Sequence, residues 1–111
     1  MDNDKLMHDL IVDRLWGRFS REYSEIKVNA EGGPDIVLAN HGLTIAIVEV
    51  ETERSITSEK AAKWKEMAHS GSRLILMVPK TAKVRVTELL WKEGIAERVG
   101  VGSYEIVISM P

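Results

Sequence analysis

The sequence predicts an α/β fold, with one sheet packed against amphipathic helices. Two observations lead to this prediction. Apolar residues recur at helical spacing near the N-terminus, and residues 43–50 are apolar at both sets of alternating positions. A strand that is apolar on both faces belongs in the middle of a covered sheet. With the segments that flank them, the predicted order of elements is α-β-β-β-α-β-α-β.

The N-terminal part of the chain is predicted to form one helix and three strands. The helix covers residues 4–19, and its apolar stripe consists of Leu6, Met7, Leu10, Ile11, Leu15 and Phe19. The strands follow over 25–29, 35–39 and 43–51. The segment Asn40-His41-Gly42 lies between two apolar runs and predicts a tight hairpin turn. The second and third strands should therefore lie side by side.

A second helix is predicted after the third strand. Ser55 or Thr57 can cap its first turn, and Gly71 ends it after about residue 70. Its sheet-facing stripe consists of Ala61, Trp64 and Ala68.

The last three elements are predicted to be a strand, a helix and a strand. The strand covers 73–78 and is followed by a proline, which ends it. Thr81 or Thr87 can cap the helix, which ends at Gly94, and the last strand covers 104–109. The tryptophans lie at helix positions that favour core packing over base stacking: Trp16, Trp64 and Trp91.

Composition indicates a single domain over residues 1–111. The chain has 111 residues, of which 44% are hydrophobic, enough for one core. It has no cysteine, which excludes disulfides and zinc fingers. No apolar run approaches the roughly 18 residues of a membrane helix, so we expect a cytoplasmic protein without membrane contact.

Charge is distributed unevenly along the chain. The net charge of −2 argues against a protein that coats nucleic acid through bulk charge. Acids outnumber bases in residues 1–58, whereas Lys and Arg predominate in residues 59–92. Lys60, Lys63 and Lys80 are the candidates for phosphate contacts, and Lys65 and Lys92 are expected on solvated helix faces.

Three carboxylates are expected to converge where the second and third strands meet. Glu49 and Glu51 lie two residues apart on one strand, so their side chains point to the same face, and the hairpin returns Asp35 beside them. Each acid alone also fits an ordinary strand end or turn. Glu49, however, ends a doubly apolar strand, where a charge is costly unless it is paired or metal-bound. A hard cation, Mg2+ or Mn2+, would relieve the repulsion among the carboxylates.

Two short motifs carry a resemblance to a known family. Pro34-Asp35 starts one strand and Glu49-Val50-Glu51 ends the next. With the order of elements over roughly residues 5–80, they resemble the PD-(D/E)xK nuclease superfamily, which includes restriction endonucleases and archaeal Holliday junction resolvases. The resemblance implies a restriction-endonuclease-like αβββαβ core with a central mixed sheet flanked by helices. It also implies that Asp35 and Glu49 bind Mg2+, assisted by an acid on the first helix, either Asp9 or Asp13.

The resemblance breaks at Glu51, where the superfamily has a lysine that is thought to position or activate the attacking water. Glu51 could itself bind a second metal or act as a general base, as in some restriction enzymes that carry glutamate there. Alternatively, Lys60, about one turn inside the second helix, returns its ammonium group to the carboxylates, with Lys63 as the second choice. In a third interpretation, catalysis is lost and only the fold is kept.

These residues favour a Mg2+-dependent nuclease that hydrolyses DNA phosphodiester bonds, with the catalytic residues Asp35, Glu49, Glu51 and Lys60. A chain this short has little surface for reading sequence, so a homodimer or a partner subunit is expected. The alternative is a non-catalytic module of nuclease fold that acts in nucleic-acid binding or protein assembly. The histidines have no partners at metal-ligand spacing and are expected at the surface or in turns: His8, His41 and His69.

Overall fold

A computed structural model describes residues 3–29, 33–107 and 109 as a mixed sheet between helices. In chain order, the helices and strands are α1 (Asn3–Phe19), β1 (Glu25–Val28), β2 (Ile36–Asn40), β3 (Leu43–Val50), α2 (Ser58–Ala68), β4 (Arg73–Pro79), α3 (Lys83–Lys92) and β5 (Val99–Tyr104). A single 3-10 turn, Lys80–Ala82, precedes α3. The predicted α/β class and order of elements are confirmed.

The five strands lie in the sheet in the order β1-β2-β3-β4-β5, so each strand neighbours those next to it in the chain. The first three are antiparallel, and β3, β4 and β5 are parallel. Parallel neighbours need crossover connections, which here pass through α2 and α3 on one face of the sheet. The other face is covered by α1. β3 is the central strand, as its apolar run predicts.

The hairpin between β2 and β3 turns as its sequence predicts. Asn40 pairs with Leu43, which leaves His41 and Gly42 as the loop. Both loop residues have positive φ, 51° and 79°, as the type I′ turn favoured in two-residue hairpins requires. Glycine adopts this conformation without steric cost.

Each face of the sheet has its own apolar core. The larger one, under α2 and α3, contains Ile47, Ile56, Ala61, Trp64, Leu74, Leu76, Val78, Ala82, Val86, Leu90, Ile95 and Val99. The smaller one, under α1, contains Ile11, Val12, Leu15, Ile36, Leu38, Ala46, Val48 and Val50. The sheet-facing positions predicted for α2 are confirmed, because Ala61 and Trp64 are fully buried and Ala68 packs against the larger core.

Some apolar residues that the sequence assigns to the core are exposed. The buried side of α1 is formed by Ile11, Val12 and Leu15, which is rotated from the predicted stripe. β3 is buried only from Ala46 onward, which is also where its pairing with β4 begins. The predictions of burial are therefore wrong for Leu6, Met7, Leu10, Trp16, Leu43, Ile45 and Trp91.

The last strand lies earlier in the chain than predicted. It is Val99–Tyr104, whereas the sequence predicts it over 104–109, a range in which residue 108 lies outside the described residues. Gly100 and Gly102 weaken the strand signal, because glycine has low strand propensity. Both glycines lie close to the ends of flexible side chains from β4. A Cβ at Gly102 would lie 2.5 Å from Sδ of Met77, and one at Gly100 would lie 3.1 Å from a guanidinium nitrogen of Arg73.

The helix caps are only partly as predicted. Thr57 caps α2, since its hydroxyl accepts a hydrogen bond from the Lys60 N–H at 3.1 Å. Neither predicted cap of α3 acts as one. The Thr81 hydroxyl donates to the Glu53 carboxylate, and that of Thr87 donates to a backbone carbonyl. Within the described ranges, no helix is long and apolar enough to cross a membrane.

Candidate active site

The candidate site lies where β2 and β3 pair. Ile36 pairs with Val48, so Asp35 and Glu49 stand beside each other on adjacent strands. The Asp35 N–H donates to Oε1 of Glu49 at 2.9 Å, and the Val50 N–H donates to Oδ2 of Asp35 at 2.8 Å. These two hydrogen bonds fix both carboxylates at the end of the strand pair.

Glu51 is the most tightly held carboxylate of the cluster. It directly follows β3 and is only 1% exposed. The indole N–H of Trp64 donates to its Oε2 at 2.8 Å, and the hydroxyl of Ser55 donates to its Oε1 at 3.2 Å. The Tyr104 hydroxyl donates to its backbone carbonyl at 2.6 Å. The side chain is therefore held in one position.

Lys60 brings a positive charge to these carboxylates from α2. Its Nζ lies 3.8 Å from Oε2 of Glu49 and 3.4 Å from Oε1 of Glu51. The Thr57 cap fixes where the helix begins, and this sets Lys60 in the first turn beside the strand end. Lys63 is exposed on the same helix. Of the two lysines considered, Lys60 is the one that reaches the cluster.

His8 joins the cluster from the opposite face of the sheet. Its Nε2 lies 2.9 Å from Oδ1 of Asp35, and its Nδ1 lies 3.1 Å from Oδ1 of Asp9. His8 was expected at the surface or in a turn, but its side chain is only 30% exposed and contacts two aspartates. The sequence does contain a signal for it, because His8 lies on the helical stripe that the structure buries or half-buries: Asp4, His8, Ile11, Val12, Leu15 and Phe19.

The two acids predicted to assist from α1 lie further out. Asp9 forms an ion pair with Lys5 at 2.9 Å and contacts the outer nitrogen of His8. Asp13 is exposed and has no hydrogen bond or ion pair in the part of the chain that the structure describes. The side chain of α1 that reaches Asp35 is therefore the imidazole of His8, whose other nitrogen contacts Asp9.

The environment of the cluster shifts the pKa values of three of its side chains. Burial and the nearby charge of Asp35 raise the pKa of Glu49 to about 7. Burial also raises the pKa of Glu51, opposed by the Lys60 charge and the Trp64 hydrogen bond. The hydrogen bond to Asp35 raises the pKa of His8 to about 9, against the opposing effect of its own burial. Burial is thus the main reason why the charged forms of the two glutamates are costly in this cluster.

The donor chemistry of the cluster suits a hard divalent cation, but its oxygens already have partners. Each oxygen of the three carboxylates contacts a donor from the protein. In residues 3–29, 33–107 and 109, no three His, Asp or Glu side chains are grouped to hold a metal ion. A cation would have to displace His8 from Asp35 and Lys60 from Glu49. Both side chains are 30% exposed, so solvent can replace these contacts.

Two clefts border the cluster. One, of about 550 Å³, lies between α1 and the end of β1 and includes His8 and Asp35. The other, of about 1110 Å³, lies at the carboxyl ends of β3, β4 and β5 and includes Thr52 and Lys80. In α/β sheets this end is where ligands commonly bind. Lys80, a predicted phosphate contact, is 3.8 Å from Glu105 there.

Comparison of the chain with models of protein families, with curated proteins and with solved structures gave no match. The geometry of the cluster is therefore the basis for assigning a function.

Proposed function

We propose that this chain is a Mg2+- or Mn2+-dependent nuclease that hydrolyses DNA phosphodiester bonds on a PD-(D/E)xK-type, restriction-endonuclease-like core. The observation that carries the proposal is the position of Lys60. Its ammonium group lies between Glu49 and Glu51, at the strand end where the superfamily's lysine would be expected. A mixed sheet with helices on both faces is compatible with such a core.

Asp35 and Glu49 are the proposed metal ligands. Their carboxylates lie beside each other on adjacent strands, and burial, followed by repulsion from Asp35, raises the pKa of Glu49. A divalent cation relieves that repulsion and prefers oxygen ligands. When bound, it would polarise the scissile phosphate and make a water molecule more acidic. Protons compete for the same oxygens, so the metal should bind more tightly at higher pH.

Lys60 is proposed to neutralise the charge that develops on the phosphate during attack. It can reach outward because its side chain is 30% exposed, whereas Glu51 is 1% exposed. Both oxygens of Glu51 accept hydrogen bonds from the protein. This geometry favours Glu51 as a positioning residue for Lys60 over direct contact with water or metal.

A cleavage assay with two matched lysine variants tests this proposal. Wild-type protein with Mn2+ should cut at least one form among plasmid, flap, branched and single-stranded DNA, and EDTA should abolish cleavage. Lys60→Ala should slow cleavage by roughly 100-fold or more, while metal affinity stays the same or rises, because Lys60 no longer competes for Glu49. Lys65→Ala removes an exposed charge from the solvated side of the same helix and should cut at the wild-type rate.

Two outcomes would count against this assignment. A Lys60→Ala protein that cuts at full rate would remove the role given to Lys60. Activity that persists in Glu49→Ala would identify a contaminating nuclease, since the proposed site cannot work without this ligand.

A homodimer is part of the proposal, because a chain of 111 residues offers little surface for holding DNA and positioning a phosphate at once. Sedimentation velocity measures this directly. A monomer at every concentration, with cleavage intact, would remove the dimer and leave the nuclease.

The second candidate is a non-catalytic module of the same fold, acting in nucleic-acid binding or protein assembly. The observation that favours it is the complete set of protein partners for the carboxylate oxygens. Such a network can stabilise the fold without a metal. Absence of both metal binding and cleavage in the wild type would support this candidate over the nuclease.

A further inference from the structure

The cleft of about 550 Å³ beside Asp35 has an aromatic wall. Trp16 lines it and is 49% exposed, although tryptophan is a residue that the core would readily accept. Val12 and Val28 supply further apolar surface on either side. The volume is within the range of about 300–1,000 Å³ that is common for small-molecule sites. A planar group that enters the cleft can contact both Trp16 and the edge of the candidate active site.

The polar rim of the cleft is acidic. Asp9, Asp13 and Asp35 line it, against Lys5 and His8. Carboxylates repel phosphate, but they accept hydrogen bonds from the exocyclic amino groups of nucleobases. Asp13 is the carboxylate best placed to accept one, since it has no hydrogen bond or ion pair within residues 3–29 and 33–107. The cleft therefore suits a base and not the phosphate backbone.

We propose that this cleft binds one unpaired nucleobase of the DNA substrate, stacked on Trp16 and bonded through its amino group to Asp13. This inference rests on the proposed function, because Asp35 borders the cleft and would hold the adjacent phosphate at the metal site. An aromatic side chain stacks any base, whereas a carboxylate accepts only from a base with an amino group. The substrate is then single-stranded or has an extruded base, with adenine, cytosine or guanine favoured over thymine.

Binding of fluorescently labelled single strands to the full chain tests the stacking. Anisotropy is measured with Ca2+ and again with EDTA, using oligo-dA, oligo-dC, oligo-dT and an abasic strand of equal length. Trp16→Ala should bind oligo-dA about 5- to 100-fold more weakly, as expected for the loss of one stacked base. Trp16→Phe keeps an aromatic face and should restore most of the affinity. Trp91→Ala removes a more exposed tryptophan from the opposite face of the sheet and should change nothing.

The base preference tests the role of Asp13. Wild-type protein should bind oligo-dA and oligo-dC more tightly than oligo-dT, and the abasic strand most weakly. Asp13→Asn should reduce the disadvantage of oligo-dT, because an amide can donate to the carbonyl oxygen of thymine as well as accept. The variant keeps the size of the side chain, so the cleft is not reshaped.

Several results would overturn the assignment of this cleft. One is equal affinity of Trp16→Ala and Trp91→Ala for oligo-dA in both buffers. Another is wild-type protein that binds the abasic strand as tightly as oligo-dA. A third is Trp16-dependent binding of an arginine-rich peptide without binding of any oligonucleotide, which would assign the cleft to a cationic partner.

The two proposals can fail separately. Trp16-dependent binding without cleavage in Mn2+ would keep the base cleft and remove the nuclease. Cleavage in Mn2+ at an unchanged rate by Trp16→Ala, with no base preference, would keep the nuclease and remove the base cleft.

Discussion

The two halves of the candidate site differ in how they hold a carboxylate. In the buried half, Trp64 and Lys60 of α2 and Ser55 of the preceding loop surround Glu51, and the carboxylate is 1% exposed. In the open half, α1 brings His8 to Asp35 at the edge of a cleft. Hydrogen bonds withdrawn from water fix a group in place, whereas partly exposed ion pairs contribute little and exchange readily. The buried half is therefore suited to positioning and the open half to binding.

The largest effect should come from the donor that holds Glu51. Trp64→Phe removes the indole N–H and part of a fully buried ring, and leaves a buried carboxylate oxygen without its partner. We expect the free energy of unfolding to fall by about 2–4 kcal/mol in denaturant titrations. Trp91→Phe, at a position 63% exposed, should stay within about 0.5 kcal/mol of wild type. Equal losses in the two variants would contradict the difference between the halves.

The second-largest effect should be on the pH dependence of stability. The folded state raises the pKa of Glu49 from 4.5 to about 7 and that of His8 from 6.5 to about 9. Both groups therefore hold their protons more tightly when folded, so stability falls as pH rises through these two ranges. Without metal, we expect a decrease of roughly 1–3 kcal/mol between about pH 5 and about pH 8 in denaturant titrations.

Each of the two groups has its own control for that profile. Glu49→Gln should flatten the lower part of the pH range, and His8→Asn should flatten the upper part. Stability that rises steadily over the same interval would show that the charges are arranged differently from the description above.

The smallest effect should come from the open half. His8→Ala removes a partly exposed ion pair and should lower the free energy of unfolding by about 1 kcal/mol or less near neutral pH. The same change frees Oδ1 of Asp35, so the affinity for Mn2+ in calorimetry should rise or stay the same. Asp13→Asn, on the same helix, should affect neither quantity. A marked loss of Mn2+ affinity in His8→Ala would mean that His8 is a ligand and not a competitor.

The sequence predicted the parts of the fold that depend on local pattern. Side chains alternate between the two faces of a strand, and with the His41-Gly42 turn this predicts that Asp35 lies beside Glu49. The position of Lys60 in the first turn of α2 predicts that its side chain returns to the strand end. Three-dimensional packing decided the rest. The buried side of α1 is rotated from the predicted stripe, which hides the role of His8 and leaves Trp16 outside the core.

The last strand shows the same limit in another way. Its glycines reduce the local strand signal. Their neighbours, the side chains of Arg73 and Met77 on β4, are known only from the structure. The predictions therefore fail where contacts with residues distant in the chain determine whether a residue is buried or belongs to a strand.

The central claim is that Asp35 and Glu49 bind a divalent cation, and calorimetric titration with Mn2+ tests it most directly. Wild-type protein and Asp13→Asn should bind Mn2+ with similar affinity and gain thermal stability as the metal concentration rises. Asp35→Asn and Glu49→Gln each lose one proposed ligand, so they should bind much more weakly and gain little stability. Equal titrations in all four proteins, or no binding by any of them, would contradict the proposed metal site.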